Sequence, residues 1–397
     1  VTDAEIIMTV KQVDPIKVNT TGELLVTAAN QIYLESAASV VINQIASANN
    51  DVRLIVDGAI SGKTGATHFV AKDLYVANTQ GDIGSQLQSM VSTISGVLRQ
   101  AGAGRDLYLT NMGSDLIVGS VEAGGSVTLT NNQNIFGNDA NHFVKGNGVT
   151  LNSATSAIGS LTERLNVAIT GTNPLSVTAG NAFINILNTP YLSLGAITVD
   201  QDFDVTTLGS VDIDDDLSAT NVTFDVNGNV VATAPLALTG TGLLDVSASD
   251  IDLSLAVIDF GSSSLTAQSG NIDLAKVTIN TSAFGLWSTG AINLLDDILV
   301  NGTDFVADGQ SITMTSGTQL QTVGNATFTA LDAISLETLN IGGDLDVTAQ
   351  NLSDRTQGSV GFNASVDTQA MKVLSANGMT LSADINAVSI DLDAGTA

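Results

Sequence analysis

Short runs in which apolar and polar residues alternate fill the second half of the chain, as in "SLTAQSGNIDLAKVTI", "DFVADGQSITMTS" and "ATFTALDAISLETLNI". Strand side chains point alternately to the two faces, so each run predicts a short strand buried on one side. The apolar residue opening the second run of each unit falls at Val211, Val231, Ile251, Ile272, Ile292, Ile312 and Ile334. The spacings are 20, 20, 21, 20, 20 and 22 residues, and turn signals such as Asn301-Gly302, Gly324-Asn325 and Gly342-Gly343 stand between the units. One repeating rung is therefore about 20 residues long.

A longer unit overlies this one in the first half. Val52, Leu54, Ile60, Gly62 and the "HFV" at His68 recur as Val127, Leu129, Ile135, Gly137 and the "HFV" at His142, at offsets of 75 and then 74. "LIVGSVEAGGSVTLT" from Leu116 likewise matches "LSLGAITVDQDFDVT" from Leu192, at an offset of 76. Residues 50–199 thus hold two modules of about 75 residues, and residues 200–397 read as simple rungs.

A rung this short cannot bury its own apolar side. Successive rungs must stack, pairing their strands in parallel about 4.8 Å apart. The whole chain, 1–397, is read as a single all-β solenoid, a parallel β-helix. Twenty such rungs would make a rod on the order of 90–100 Å long. Small aliphatic residues are expected inside, in an interior too narrow for large rings, with Thr, Ser, Asn and Asp outside. No six-residue period of the left-handed hexapeptide kind is present.

One stretch departs from period two. In "GDIGSQLQSMVSTISGVLRQAGAGRD", Ile83, Leu87, Met90, Val91, Ile94, Val97 and Leu98 fall at three-four spacing, which predicts one short helical insertion over about 85–100. It would pack along the flank or dock a neighbouring protomer.

Composition narrows the function. With 12 Lys+Arg against 40 Asp+Glu and a net charge of −28, the chain has too few cations to neutralise nucleic-acid phosphates or to hold an anionic membrane. No apolar run reaches membrane-spanning length, so membrane insertion is not expected. The absence of cysteine removes disulfides and thiolate chemistry. The start, "VTDAEIIMTV", and the end, "SIDLDAGTA", read as a mature form or a segment of a longer fibre protein.

The module "GSVTLT…NIFGNDANHFVKGNGVTLNSATSAIGS…NPLSVTAGNAFINILNTPYLSLGAITVDQDFDVTT" resembles filamentous-haemagglutinin-like proteins, the two-partner-secretion exoproteins and giant surface adhesins of Gram-negative bacteria. The likeness lies in the order of its parts over roughly residues 50–350: a strand pair, "I-x-G", a second strand group, "IGS", then "L-x-L-G-x-I". It implies a right-handed parallel β-helix, export to the cell surface, and adhesive or fibre-forming work outside the cell.

Candidate chemistry is sparse. "DGAISGKTG" ends like a phosphate loop, but Gly58 and Gly62 enclose three residues where that loop needs four. His68 and His142 are the only histidines; without partners for zinc they are expected to share a structural corner. Trp287 is the sole tryptophan, a sugar-stacking platform or a packing residue. An enzyme acting on acidic glycans would need basic groups beside its acids, and Arg53, Arg99, Arg105, Arg164 and Arg355 are scattered. Carboxylate pairs for glycoside hydrolysis would come from Asp212–Asp216 or Asp296-Asp297. The acidic run "VDIDDDLS" offers Asp212, Asp214 and Asp216 on one side of a strand, stacked on Asp250 and Asp252 of a later rung or against Asp202 and Asp204 nearby, as a weak Ca²⁺ site. No other cofactor is expected.

The expectation is a non-enzymatic structural or adhesive rod of an exported fibre. Its partners would be further copies of itself, in end-to-end filaments, or cell-surface and glycan receptors. The alternative is a β-helix polysaccharide lyase or glycoside hydrolase.

Overall fold

Alternation becomes architecture in the computed structural model, which describes residues 14–187, 189–350, 358–382 and 384–394. The chain is an all-β parallel β-solenoid of about 18 turns. It divides into two compact units, Val1–Ser193 with Thr198–Asp202, and Leu194–Ile197 with Phe203–Ala397.

In the first unit, strands Ile32–Ser36, Val52–Val56, Leu74–Asn78, Val97–Ala103 and Leu116–Ala123 pair in parallel, one rung on the next. A second column runs through Val40–Ser47, Phe69–Ala71, Met90–Ile94, Leu107–Asn111, Val127–Asn131, Val149–Asn152 and Leu175–Ala179. Val52 lies in the first column and Val127, its counterpart in the second module, lies in the other. The module repeat is therefore not a whole number of rungs. Equivalent motifs of the two modules emerge from different columns.

The predicted helix at 85–100 is absent, and no helix occurs among the described residues. Met90–Ile94 and Val97–Ala103 are strands, and Ser85 to Gln88 closes a tight turn in which each backbone N–H donates to the other's carbonyl. Met90, Ser92 and Ile94 face inward. Ser92, a polar residue on the inward side, masked the period of two, while Met90, Ile94 and Leu98 imitate a four-residue period. Leu87, counted in the apolar helix face, is 100% exposed at the turn's tip.

In the second unit three strand columns wind together. One stacks Val211, Val230, Ile251, Ile272, Ile292, Ile312, Ile334 and Val360 in register. Val231, chosen from the sequence, is displaced by its neighbour Val230, because that rung is one residue shorter and the next one longer. The others match the sequence alignment.

The interior also admits rings. Phe69, Phe203, Phe224, Phe260, Phe284, Phe305, Phe328 and Phe362 are fully buried. Phe284 and Phe305 meet at 5.6 Å between centroids, and Phe305 and Phe328 at 5.3 Å. Room comes from small partners. Phe305 shares the inner face of its strand with Ala307, while Phe328 lies between Ala326 and Ala330. Large beside small keeps the core at uniform density.

Candidate functional site

The most frequent polar device lies at the rung corners. An Asp or Asn Oδ1 accepts the backbone N–H that opens the corresponding strand of the next rung. These links run in relays: Asp82 to Asp106 to Ser126, Asp115 to Asn134 to Ala157, Asp250 to Asn271 to Ala291, and Asp304 to Asn325 to Asp344. Each bond satisfies a donor that leaves the ladder at a turn. At Gly270 the Asp250 Oδ1 sits 2.3 Å from where a Cβ would stand, so only glycine lets it reach the N–H of Asn271. The sequence carried this signal as an Asp or Asn followed about one rung later by Gly. In sequence it looks the same as ordinary turn punctuation.

The acidic run belongs to the same device. Asp215 Oδ1 accepts the N–H of Asp216, and Asp216 Oδ1 accepts that of Ala237 at 2.8 Å. Asp296 and Asp297 repeat the arrangement, Asp297 taking the N–H of Gln319 at 2.8 Å. Asp214 accepts the Thr233 hydroxyl. Asp212 is half-buried, and its carboxyl is pushed up by burial and then by the charge of Asp214. Asp212 is not stacked on Asp252, because the outward Val231 stands between them in the column. Among the described residues no three His, Asp or Glu side chains converge to hold a metal ion.

The histidines occupy equivalent corners. His68 Nδ1 accepts the N–H of Val91 at 2.8 Å and its Nε2 donates to the Lys63 carbonyl at 2.9 Å. His142 Nε2 accepts the N–H of Asn166 at 3.0 Å, and Nδ1 faces the Asp139 carbonyl. Both rings join a loop of one rung to the strand above, and both lie where a Cβ on the preceding glycine, Gly62 or Gly137, would stand. This explains "I-x-G" followed by "HFV". Beside His142 opens a groove of about 400 Å³ whose walls include Asp139, Leu161, Glu163 and Asn166.

The remaining candidates lie apart. Lys63, in the phosphate-loop look-alike, pairs with Glu23 at 2.8 Å, and its strand Ile60–Gly62 is followed by no helix. Arg53 stacks over the rings of Tyr33 and Tyr75 at 4.7 and 5.9 Å. Arg99 pairs with Asp73 at 2.7 Å and Arg105 with Asp82 at 3.8 Å. Arg164 lines the groove near His142, and Arg355 lies outside the described residues. Trp287 is on the outer face of Phe284–Ser288, 41% exposed. Among the described residues no helix is long and apolar enough to cross a membrane.

Comparison of the chain with protein-family models, curated proteins and solved structures gives no match in any of the three.

Proposed function

We propose that the chain is a non-enzymatic structural and adhesive segment of an exported bacterial surface fibre. The observation that carries this reading is the commitment of its corner acids to the scaffold. The carboxylates of the two Asp-Asp corners, which a glycoside hydrolase would need free, accept backbone N–H groups. The acidic corners repeat from rung to rung rather than gathering in one cleft. The likeness of the module motifs to filamentous-haemagglutinin-like proteins supports an extracellular, cell-surface setting. Outward Thr, Ser, Asn and Asp rows provide the surface on which receptors or further copies would dock.

The test is a paired one. Purified chain is incubated with neutral and acidic polysaccharides, with and without Ca²⁺, and is separately applied to host-cell and glycan surfaces. Retention on those surfaces without release of sugar fragments is the expected result. Depolymerisation of any glycan would replace this reading with the lyase or hydrolase one. Electron micrographs of the same material report on end-to-end association.

A further inference from the structure

Gly285 points outward on its strand yet is buried, while its inward neighbours Phe284 and Leu286 are covered by the core. The cover is Trp287. A Cβ on Gly285 would stand 2.0 Å from Cη2 and 2.4 Å from Cζ3 of the indole, so the six-membered ring folds back along the strand into the space left by the missing side chain. The ring is thus laid over the sheet, and Trp287 as a whole remains 41% exposed. Behind it the buried stack of Phe284, Phe305 and Phe328 holds the strand in place.

The neighbours across the ladder are polar. Thr266 lies beside Trp287 on one side and Asp308 on the other, in register and about 4.8 Å away. The row continues through Ser247 beyond Thr266 and through Thr329 and Thr348 beyond Asp308. Asp308 is exposed, and no hydrogen bond to its side chain is formed among the described residues. The ring itself covers Gly285, whose ladder neighbours are Ser264 and Val306, and the Thr266 hydroxyl and Asp308 carboxylate stand two residues further along the same outer face. A flat aromatic face with polar groups one such step away fits one ligand chemistry well. The C–H face of a pyranose stacks on the ring while its hydroxyls donate to the carboxylate. The spacing of the rungs is close to the length of a sugar ring, so successive residues of a chain laid across the strands would meet successive side chains of the row. With a net charge of −28 the protein repels anionic sugars.

We propose that Trp287, with Asp308 and Thr266, is a binding site for a neutral, pyranose-based glycan. The assignment deepens the adhesive reading by naming a receptor chemistry and rests on it. Because Trp287 is the sole tryptophan of the chain, its emission reports on this site alone.

The experiment titrates the chain with chitohexaose, a galactose-terminated neutral oligosaccharide and a heparin fragment, following tryptophan emission, with a glycan array in parallel. A saturable change with a neutral oligosaccharide at about millimolar Kd, as befits one stacking platform, is the expected result. Trp287→Ala should abolish the array signal, and Asp308→Asn, which keeps the ring, should weaken titrated affinity about tenfold. Unchanged thermal melting of both variants shows that they fold. No emission change with neutral sugars, preference for heparin, or full array binding by Trp287→Ala would each overturn the site. In the last case glycan adhesion itself survives, whereas a parent chain that binds nothing on the array and is not retained on host cells removes the adhesive reading as well.

Discussion

The imidazole of His68 fills the space that a side chain on Gly62 would occupy, its Nε2 standing 2.2 Å from an ideal Cβ there. The ring cannot retreat without giving up the Val91 N–H and the Lys63 carbonyl. Gly62→Ala is expected to cost about 2–3 kcal/mol, the range for overpacking plus a strained hydrogen bond. Denaturant unfolding measures it. In the His68→Ala background the same substitution should cost markedly less, and a double-mutant cycle reads the coupling.

Asp73 reports on pH. Burial opposes its ionisation, but the N–H of Val97, the bond to Arg99 and the charges of Arg99 and Lys72 prevail and hold its carboxyl below the ordinary value of 3.8. A depressed carboxylate stabilises the fold above its unfolded value, and that contribution fades as pH falls through the folded one. Asp73→Asn should therefore cost about 1 kcal/mol at neutral pH, discounted for the exposure of Arg99, and the difference should shrink below pH 3.8. Thermal melts of both proteins across the acid range test this.

Asp212 should respond in the opposite sense. Its carboxyl is raised by burial and by Asp214, so its ionised form weighs against the fold once pH rises through the folded value. Asp212→Asn is expected to stabilise the protein by about 0.5 kcal/mol at neutral pH and to change nothing at low pH. A loss of neutral-pH stability would contradict the desolvation argument.

Asp216 separates capping from ion binding. Asn keeps the oxygen that takes the Ala237 N–H, whereas Ala removes it. Asp216→Asn should lie within about 0.5 kcal/mol of the parent and Asp216→Ala should lose about 1 kcal/mol, with EDTA and Ca²⁺ shifting neither melting curve. An EDTA-sensitive parent would restore the calcium reading.

Asn111 tests the buried polar line that hid the strand Met90–Ile94. Its Oδ1 takes the Ile94 N–H at 3.0 Å, and its Nδ2 donates to the Ser114 carbonyl and to Asn131 Oδ1, both at 3.1 Å. Asn111→Leu removes the partner of the buried Ile94 N–H and of Asn131 Oδ1, while the Ser114 carbonyl keeps the Asn131 amide, and should cost about 2 kcal/mol or more. Equilibrium unfolding would measure the loss.

Strand positions and the rung period were legible because one covered face imposes alternation. The column through Val211 and Ile251 slipped at one residue only, where two valines are adjacent. Where polar residues turn inward, as at Ser92, period two disappears from the sequence although the strand persists. Phenylalanines could be placed inside only once their alanine neighbours across the rung were known. The histidine corners repeated visibly in sequence, yet their purpose depends on a glycine five or six residues earlier and an N–H one rung away. The aspartates of "VDIDDDLS" suggested ligands because sequence shows charge but not the backbone donors that take it up.

The crossing of Val52 and Val127 into different columns has a consequence for how such chains diversify. A tandem duplication spanning whole turns would copy a decoration directly above itself; one ending part-way round re-aims the copy to another flank without altering a core residue. The length of a duplicated segment is then an angular setting, and a lineage could populate several sides of the same scaffold simply by copying one motif.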